Sequence, residues 1–488
     1  MRVFPSSTDP VPRRRSLRRE LEDRTARVVL GLLLAGGLGW LITDIVWNPT
    51  KRNIQMLAGL VFLGIMLAAQ PYYGLVFAII AVPFPAATSV GTTSSLLIFA
   101  MAALALIKAR QLDLPSPFYD RRADLALAGF LLFNLLSLYM QDLSETYPIR
   151  QYYIGLFSAA VLFYLILQLV RTRRDFEQIF RLQSVLAIIL SVIAVLQSYF
   201  PTKTILPAFF SFSRRVASME DVRAGNVRSF ATFPGYELFA EYCAIMVVFQ
   251  YFAFRRSSSL AMKSLWLFGI VVTLLALFKT GTRAGILILG VGFVYAVVAG
   301  ARAVPRAQLV GVGAIALALF YLTLPFTHSQ LDMLFERMST LGVDDSSVRS
   351  RSAVLAEALD KVPESPLIGH GVYKLPGTFS TDVDRNIHNL YVTLAYTIGL
   401  PGLFAWLFFV WRIFARSFRA MRDRAVDPHL REYLLAMNVG VVMFSVDQIK
   451  IEFVRSALTM HTAFILLGLT LALVRIAEQS KTSAAASS

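Results

Sequence analysis

The chain has 488 residues, 56% of them hydrophobic and only 16% charged, with a mean hydropathy of +0.60. That balance excludes a soluble globular domain; recurring apolar runs of roughly twenty residues describe a polytopic helical membrane protein. The single cysteine, Cys243, excludes an intramolecular disulfide and a cysteine-based zinc site, and the net charge of +16 belongs to cytoplasmic loops facing anionic lipid rather than to nucleic-acid binding.

Residues 1–27 are basic, with Arg13, Arg14, Arg15, Arg18, Arg19, Arg24 and Arg27. The apolar run 28–46 follows, with no small-residue cleavage site before Trp47-Asn48-Pro49, so it reads as a retained first span with a cytoplasmic N-terminus. Further spans are expected near 54–69, 73–86, 94–107, 124–139, 151–170, 182–199, 238–254, 263–278, 284–299, 309–325, 390–411, 433–446 and 456–474. Some of the shorter runs read as half-spans or parts of one broken helix. The expected fold is therefore an all-α polytopic membrane protein of about 12–14 transmembrane helices, with one large periplasmic loop between late spans. Its organisation reads as a basic cytoplasmic segment 1–27, a helical bundle 28–325, a periplasmic loop 326–389, C-terminal spans 390–474 and a disordered cytoplasmic tail 475–488.

With the N-terminus inside, the inside loops hold Lys108, Arg110, Arg121 and Arg122; Arg171, Arg173, Arg174 and Arg181; Arg255, Arg256 and Lys263; Arg302 and Arg306; and Arg412, Arg416, Arg419, Arg422, Arg424 and Arg431. This is the positive-inside pattern, loop after loop. Three outer segments break it. Segment 200–237 carries Arg214, Arg215, Arg223 and Arg228, the turn 279–283 carries Lys279 and Arg283, and the long loop carries Arg349 and Arg351. Cations gathered against the topological bias point to an anion, and paired guanidinium forks suit a diphosphate.

Among single residues, His388 stands at the outer start of a span in Asn386-Ile387-His388-Asn389-Leu390. An imidazole there can accept a proton near neutral pH, the competing reading being an interfacial histidine that only caps or hydrogen-bonds. Arg283 follows Thr280-Gly281-Thr282 at a helix start, either a phosphate cradle or a snorkelling anchor. Arg349 and Arg351 enter an amphipathic helix that Pro363 and Pro366 end, its bland alternative being a solvated loop face. Arg228 opens a non-periodic approach to the next span, whose Glu237 and Glu241 read as capping and interhelical bonding sooner than as a proton relay. Asp382-Val383-Asp384 has the spacing of a metal-binding carboxylate pair, but two carboxylates in a loop are a weak signal and a solvated polar loop is the favoured reading. There is no Walker motif, zinc signature or Gly-x-Ser-x-Gly elbow.

In order, Arg228-Ser-Phe-Ala-Thr-Phe-Pro-Gly235, Thr280-Gly-Thr-Arg283-Ala-Gly285, Ser350-Arg351 with Pro366-Leu-Ile-Gly369-His-Gly371, and His388-Asn389-Leu-Tyr391 with Gly399-Leu-Pro-Gly402 resemble the O-antigen ligase/O-antigen polymerase family, most clearly over 225–410. The resemblance implies an integral-membrane glycosyltransferase of the bacterial cytoplasmic membrane, acting on its periplasmic face in cell-surface polysaccharide assembly. It implies inverting, metal-independent and cofactor-free transfer of a glycan from a polyprenyl-diphosphate carrier to an acceptor hydroxyl. The implied partners are that donor, a glycan or lipid-linked acceptor, membrane lipids and other polysaccharide-assembly proteins, with no nucleic acid. Carried over residue by residue, Arg283 and Arg351 bind the diphosphate, with Arg228 or Arg349 in support, and His388 takes the acceptor's proton. Thr280-Gly281-Thr282 departs from the family's serine-rich run, and Gly235-Tyr236-Glu237 from its Asn-Pro-Asn-like stretch. The rival reading is a transporter or flippase of lipid-linked glycan, which would place its charges near the bilayer midplane, often within repeated halves.

Overall fold

The computed structural model describes residues 71–85, 92–108, 115–140, 146–200, 228–300, 346–372 and 387–487, the side chains of 107–108, 146–148, 346–350 and 482–487 excepted. Among these residues the protein is all-helical, with twelve α-helices and no strand. In chain order they are α1 (Pro71–Ala81), α2 (Thr93–Lys108), α3 (Arg121–Leu136), α4 (Thr146–Leu169), α5 (Arg173–Gln197), α6 (Tyr236–Arg256), α7 (Leu260–Lys279), α8 (Arg283–Ala299), α9 (Ser346–Lys361), α10 (Leu390–Arg422), α11 (Pro428–Asp447) and α12 (Ala457–Ser487).

Seven of them (α3, α4, α5, α6, α7, α10 and α12) are long and apolar enough to cross a membrane, and α1, α2 and α8 are shorter apolar helices. This is a polytopic membrane architecture. The spans expected at 28–46, 54–69 and 309–325 lie outside the described residues. Large apolar side chains on the outer helix faces are exposed, Leu106, Leu125, Leu287, Val298 and Phe404 among them, as lipid contact requires.

Caps explain where helices begin ahead of their apolar runs. Thr172 and Asp175 form a capping box, so α5 starts nine residues before the span expected at 182–199. Asp120 accepts from Arg122 N at 3.0 Å and Ala123 N at 3.2 Å, starting α3. At the C-terminus the structure corrects the expectation of a disordered tail at 475–488: α12 runs to Ser487. Buried Arg475 donates to the carbonyls of Leu167 and Val170 at the end of α4, and Arg416 pairs with Glu478 at 2.6 Å. Ser/Ala-rich composition hid these two anchors.

α6 is the central helix, packed by α5, α7, α8 and α11, while α12 packs on α4, α10 and α11. Aromatic rings fill the core: Trp406 stacks on Phe453 at 4.8 Å between ring centroids, and Phe180 on Phe249 at 4.7 Å. Because the helices alternate in direction, the starts of α6, α8, α10 and α12 meet the ends of α7 and α11 at one end of the bundle. Ser229 N donates to Lys279 O at 3.1 Å there, and Leu390 N to Gln448 O at 2.9 Å. The opposite end collects ion pairs, with Arg173 on Asp427 at 3.1 Å, Arg255 on Glu432 at 3.3 Å, and Arg412 and Arg416 each 3.0 Å from Asp120.

Candidate functional site

The first turn of α6 joins motifs that are far apart in sequence. Residues 228–235 approach it in a conformation held by buried Gln197, whose amide accepts from Ala231 N at 2.8 Å and donates to Ala231 O at 2.9 Å. That grip fixes Ala231 in the left-handed region, at φ 49°. Arg228 is thereby aimed at two partners: its guanidinium lies 4.2 Å over the Tyr236 ring, and Nη2 donates to Gly281 O at 2.8 Å. Gly281 has φ +60°, and a Cβ there would lie 3.2 Å from Arg228 Nε, so glycine permits both the turn and the close approach. Two residues later Arg283, half-buried, opens α8.

Glu237 follows Tyr236 and takes Arg351 of α9, Nη2 to Oε1 at 2.8 Å. Its other oxygen lies 3.8 Å from His388 Nδ1, beyond hydrogen-bond length. Four of the five expected site residues thus gather around one helix start: Arg228 stacks on Tyr236, Arg351 and His388 face Glu237, and Arg283 adjoins the turn that Arg228 holds. Arg349 lies on α9 with its side chain outside the described residues, as Asp382 and Asp384 are altogether.

His388 is placed by its neighbours. Ile387 is buried with Ala358 and Tyr396, and Asn389 caps α10, its Oδ1 accepting from Val392 N at 3.1 Å. Pinned on both sides, His388 takes φ 58°, a left-handed conformation that histidine tolerates better than most residues and that strained sites often hold. Its ring meets Arg455, whose Nη2 stands 2.9 Å from Nδ1. Burial first, then the charges of Arg455 and Arg351, push the imidazole down to about 4, against the smaller opposing pull of Glu237 and Glu452.

Arg455 belongs to a short 3-10 turn, Phe453–Arg455, between α11 and α12. Phe453 anchors the turn in the aromatic core, its N–H donating to Gln448 Oε1 at 2.9 Å. Glu452 then fixes Arg455 by Oε2 to Nε at 3.1 Å while its Oε1 accepts from Thr393 at 2.7 Å. Beneath this layer Glu241 accepts from Gln448 at 3.0 Å, so the interhelical role expected of Glu237 and Glu241 is what both perform, towards α9 and towards the end of α11.

The glycine motifs build the floor under α9. α10 is broken at Gly399, φ +76°, and the segment Pro366–Gly371 docks into the break. Leu400 N donates to Pro366 O at 2.8 Å, His370 N to Tyr396 O at 2.8 Å and Gly371 N to Thr397 O at 3.0 Å. The His370 ring stacks on Tyr396 at 4.7 Å, with Nε2 2.8 Å from Lys361 O. Arg351 therefore rides on a helix whose exit is tied to the helix that His388 starts.

Sequence reasoning missed Arg455 and Glu452. The signal was present, since Arg455 is another cation in an outer segment, 447–455, on the same topological reading that singled out Arg228, Arg283 and Arg351. Among the described residues no group of three His, Cys, Asp or Glu side chains could hold a metal ion.

Residues 268–407 match the family model described as O-antigen ligase. The match takes in Arg283, Arg351, the docked Pro366–Gly371 segment, His388 and the α10 break. It begins after Arg228 and ends before Arg455. No curated protein matches the chain.

Proposed function

We propose that the chain, whose residues 268–407 match the O-antigen ligase family model, transfers a glycan from a polyprenyl-diphosphate carrier to an acceptor hydroxyl at the outer face of the bacterial cytoplasmic membrane. The observation that carries this reading is the convergence on the α6 start of Arg228 over Tyr236, Arg351 on Glu237, and His388 beside the same carboxylate. Arg351 spends one N–H on Glu237, and a guanidinium has four more for phosphate oxygens. With Arg283, Arg228 and Arg349 it would neutralise the diphosphate as it leaves, work that arginines do without a divalent cation. The carrier's polyprenyl tail would lie against the exposed apolar helix faces.

Arg351 and His388 flank Glu237, and in this reading the acceptor hydroxyl and the donor's anomeric carbon meet beside them. Direct displacement by that hydroxyl inverts the carbon, and no covalent glycosyl intermediate is required. A lipid core and a growing glycan chain both present such a hydroxyl, so ligase-like and polymerase-like activities share this chemistry. The test is reconstitution of the purified chain in liposomes with a polyprenyl-diphosphate-linked glycan and candidate acceptors, in excess EDTA. The reading expects glycan covalently on the acceptor. Glycan lipid that only changes leaflet would mark a flippase, and activity restored to a chelated protein by magnesium or manganese would overturn the arginine-based scheme.

A further inference from the structure

The contact between Arg455 and His388 decides which ring nitrogen carries the proton. A guanidinium has only N–H donors and stays charged, so Nδ1, 2.9 Å from Arg455 Nη2, must present its lone pair. A neutral imidazole with its lone pair on Nδ1 has its hydrogen on Nε2. We infer that Arg455 is a positioning residue that holds His388 as the neutral Nε2–H tautomer, so that His388 meets the substrates as a hydrogen-bond donor to an anionic oxygen and not as the base that deprotonates the acceptor. The inference rests on the transferase reading for its chemistry and on the ring contact alone for its tautomer.

The surroundings agree. The groups facing the imidazole are Glu237 from α6, Arg351 from α9, and Glu452 and Arg455 from the turn before α12. A base using Nε2 would need Nδ1–H donated to a carboxylate, yet Glu237 Oε2 is 3.8 Å away while the arginine is at 2.9 Å. Buried Ile387 and the Asn389 cap fix the backbone on either side of the ring. With burial and two guanidinium charges pushing the ring down to about 4, it stays neutral at neutral pH.

The transfer then balances as follows. The acceptor oxygen bonds the anomeric carbon, the carbon–oxygen bond to the carrier breaks with its electron pair on the diphosphate, and the acceptor's proton passes to Glu237. Oε2 is the carboxylate oxygen that Arg351 does not hold. The Nε2–H of His388 donates to an oxygen of the departing diphosphate, where negative charge is growing.

Two measurements on the full-length protein test this. The chain has five histidines; with ¹⁵N-labelled histidine in nanodiscs, the His388 ring, assigned by its loss in His388→Gln, should show a protonated Nε2 and a bare Nδ1. In Arg455→Gln the same ring should shift towards a tautomer mixture and titrate at higher pH, an effect that a merely structural arginine would not produce. In the transfer assay, His388→Gln keeps a side-chain N–H and should stay within about tenfold of wild type. His388→Ala should lose about 10²–10⁴. A wild-type ring protonated on Nδ1, or a Gln variant as inactive as the Ala variant, overturns the inference. A wild type that transfers no glycan sinks the transferase reading instead, and the nitrogen spectrum still decides the tautomer.

Discussion

Glu237 holds Arg351 at 2.8 Å on one oxygen and faces His388 at 3.8 Å with the other, so a change at either partner reaches the whole cluster. Arg351→Lys keeps a charge opposite Glu237 and loses the planar fork. It should lower kcat/KM for the lipid-linked donor by about 10–100-fold, roughly 1.4–2.7 kcal/mol of transition-state stabilisation, while the melting temperature barely moves; full activity would make the arginine a generic charge. His388 gives a pH signature. Its folded value of about 4 lies below the ordinary 6.5, so between those values the unfolded chain binds more protons, and stability falls as pH drops from 6.5 towards 4. Unfolding midpoints should decline more steeply there for wild type than for His388→Gln, and transfer should show no limb near 6.5. At this scale the sequence was readable where arginines stood against topology, as Arg228, Arg283 and Arg351 do, and where a histidine opened a span, as His388 does. Glu237 read as a capping or interhelical group because nothing in its neighbours names a partner 114 positions away.

Among the elements, the break in α10 and the segment that fills it form one unit. A Cβ on Gly399 would lie 2.5 Å from the Leu367 backbone, at φ +76°, whereas a Cβ on Gly290 in α8 meets nothing within 4 Å. Gly399→Ala should therefore cost at least about 1–3 kcal/mol from backbone strain alone, with further loss from the clash, and should depress transfer by displacing the exit of α9. Gly290→Ala should leave both unchanged or slightly raise the melting temperature. Equal behaviour of the two variants in detergent unfolding would show that the segment is not docked. Pro363 and Pro366 were legible as the stop of α9, whereas Gly399–Gly402 entered only as a family-like motif inside the span expected at 390–411. The pairing of Pro366–Gly371 with the α10 break was not legible, because it runs through backbone groups that every residue carries.

Across the whole molecule, alternating helix direction puts the cluster at one end and the Arg173, Arg255, Arg412 and Arg416 ion pairs at the other. The positive-inside pattern and hydropathy made this division legible. Helix lengths were less so, since capping residues and charged termini extend α5, α10 and α12 past their apolar runs. In a Cys243→Ala background, Glu364→Cys, exposed near the cluster, should react with an impermeant maleimide in intact spheroplasts. Ser258→Cys, exposed at the other end, should react only after permeabilisation; the reverse would invert the orientation. The central claim is that glycan transfer occurs at the α6 start. It is met most directly by single-turnover transfer in proteoliposomes loaded with labelled polyprenyl-diphosphate glycan and acceptor, comparing Arg351→Ala with Arg255→Ala. The account predicts that the first abolishes transfer and the second, at the far end of the same bundle, leaves it near the wild-type rate. Equal rates for the two variants would contradict it.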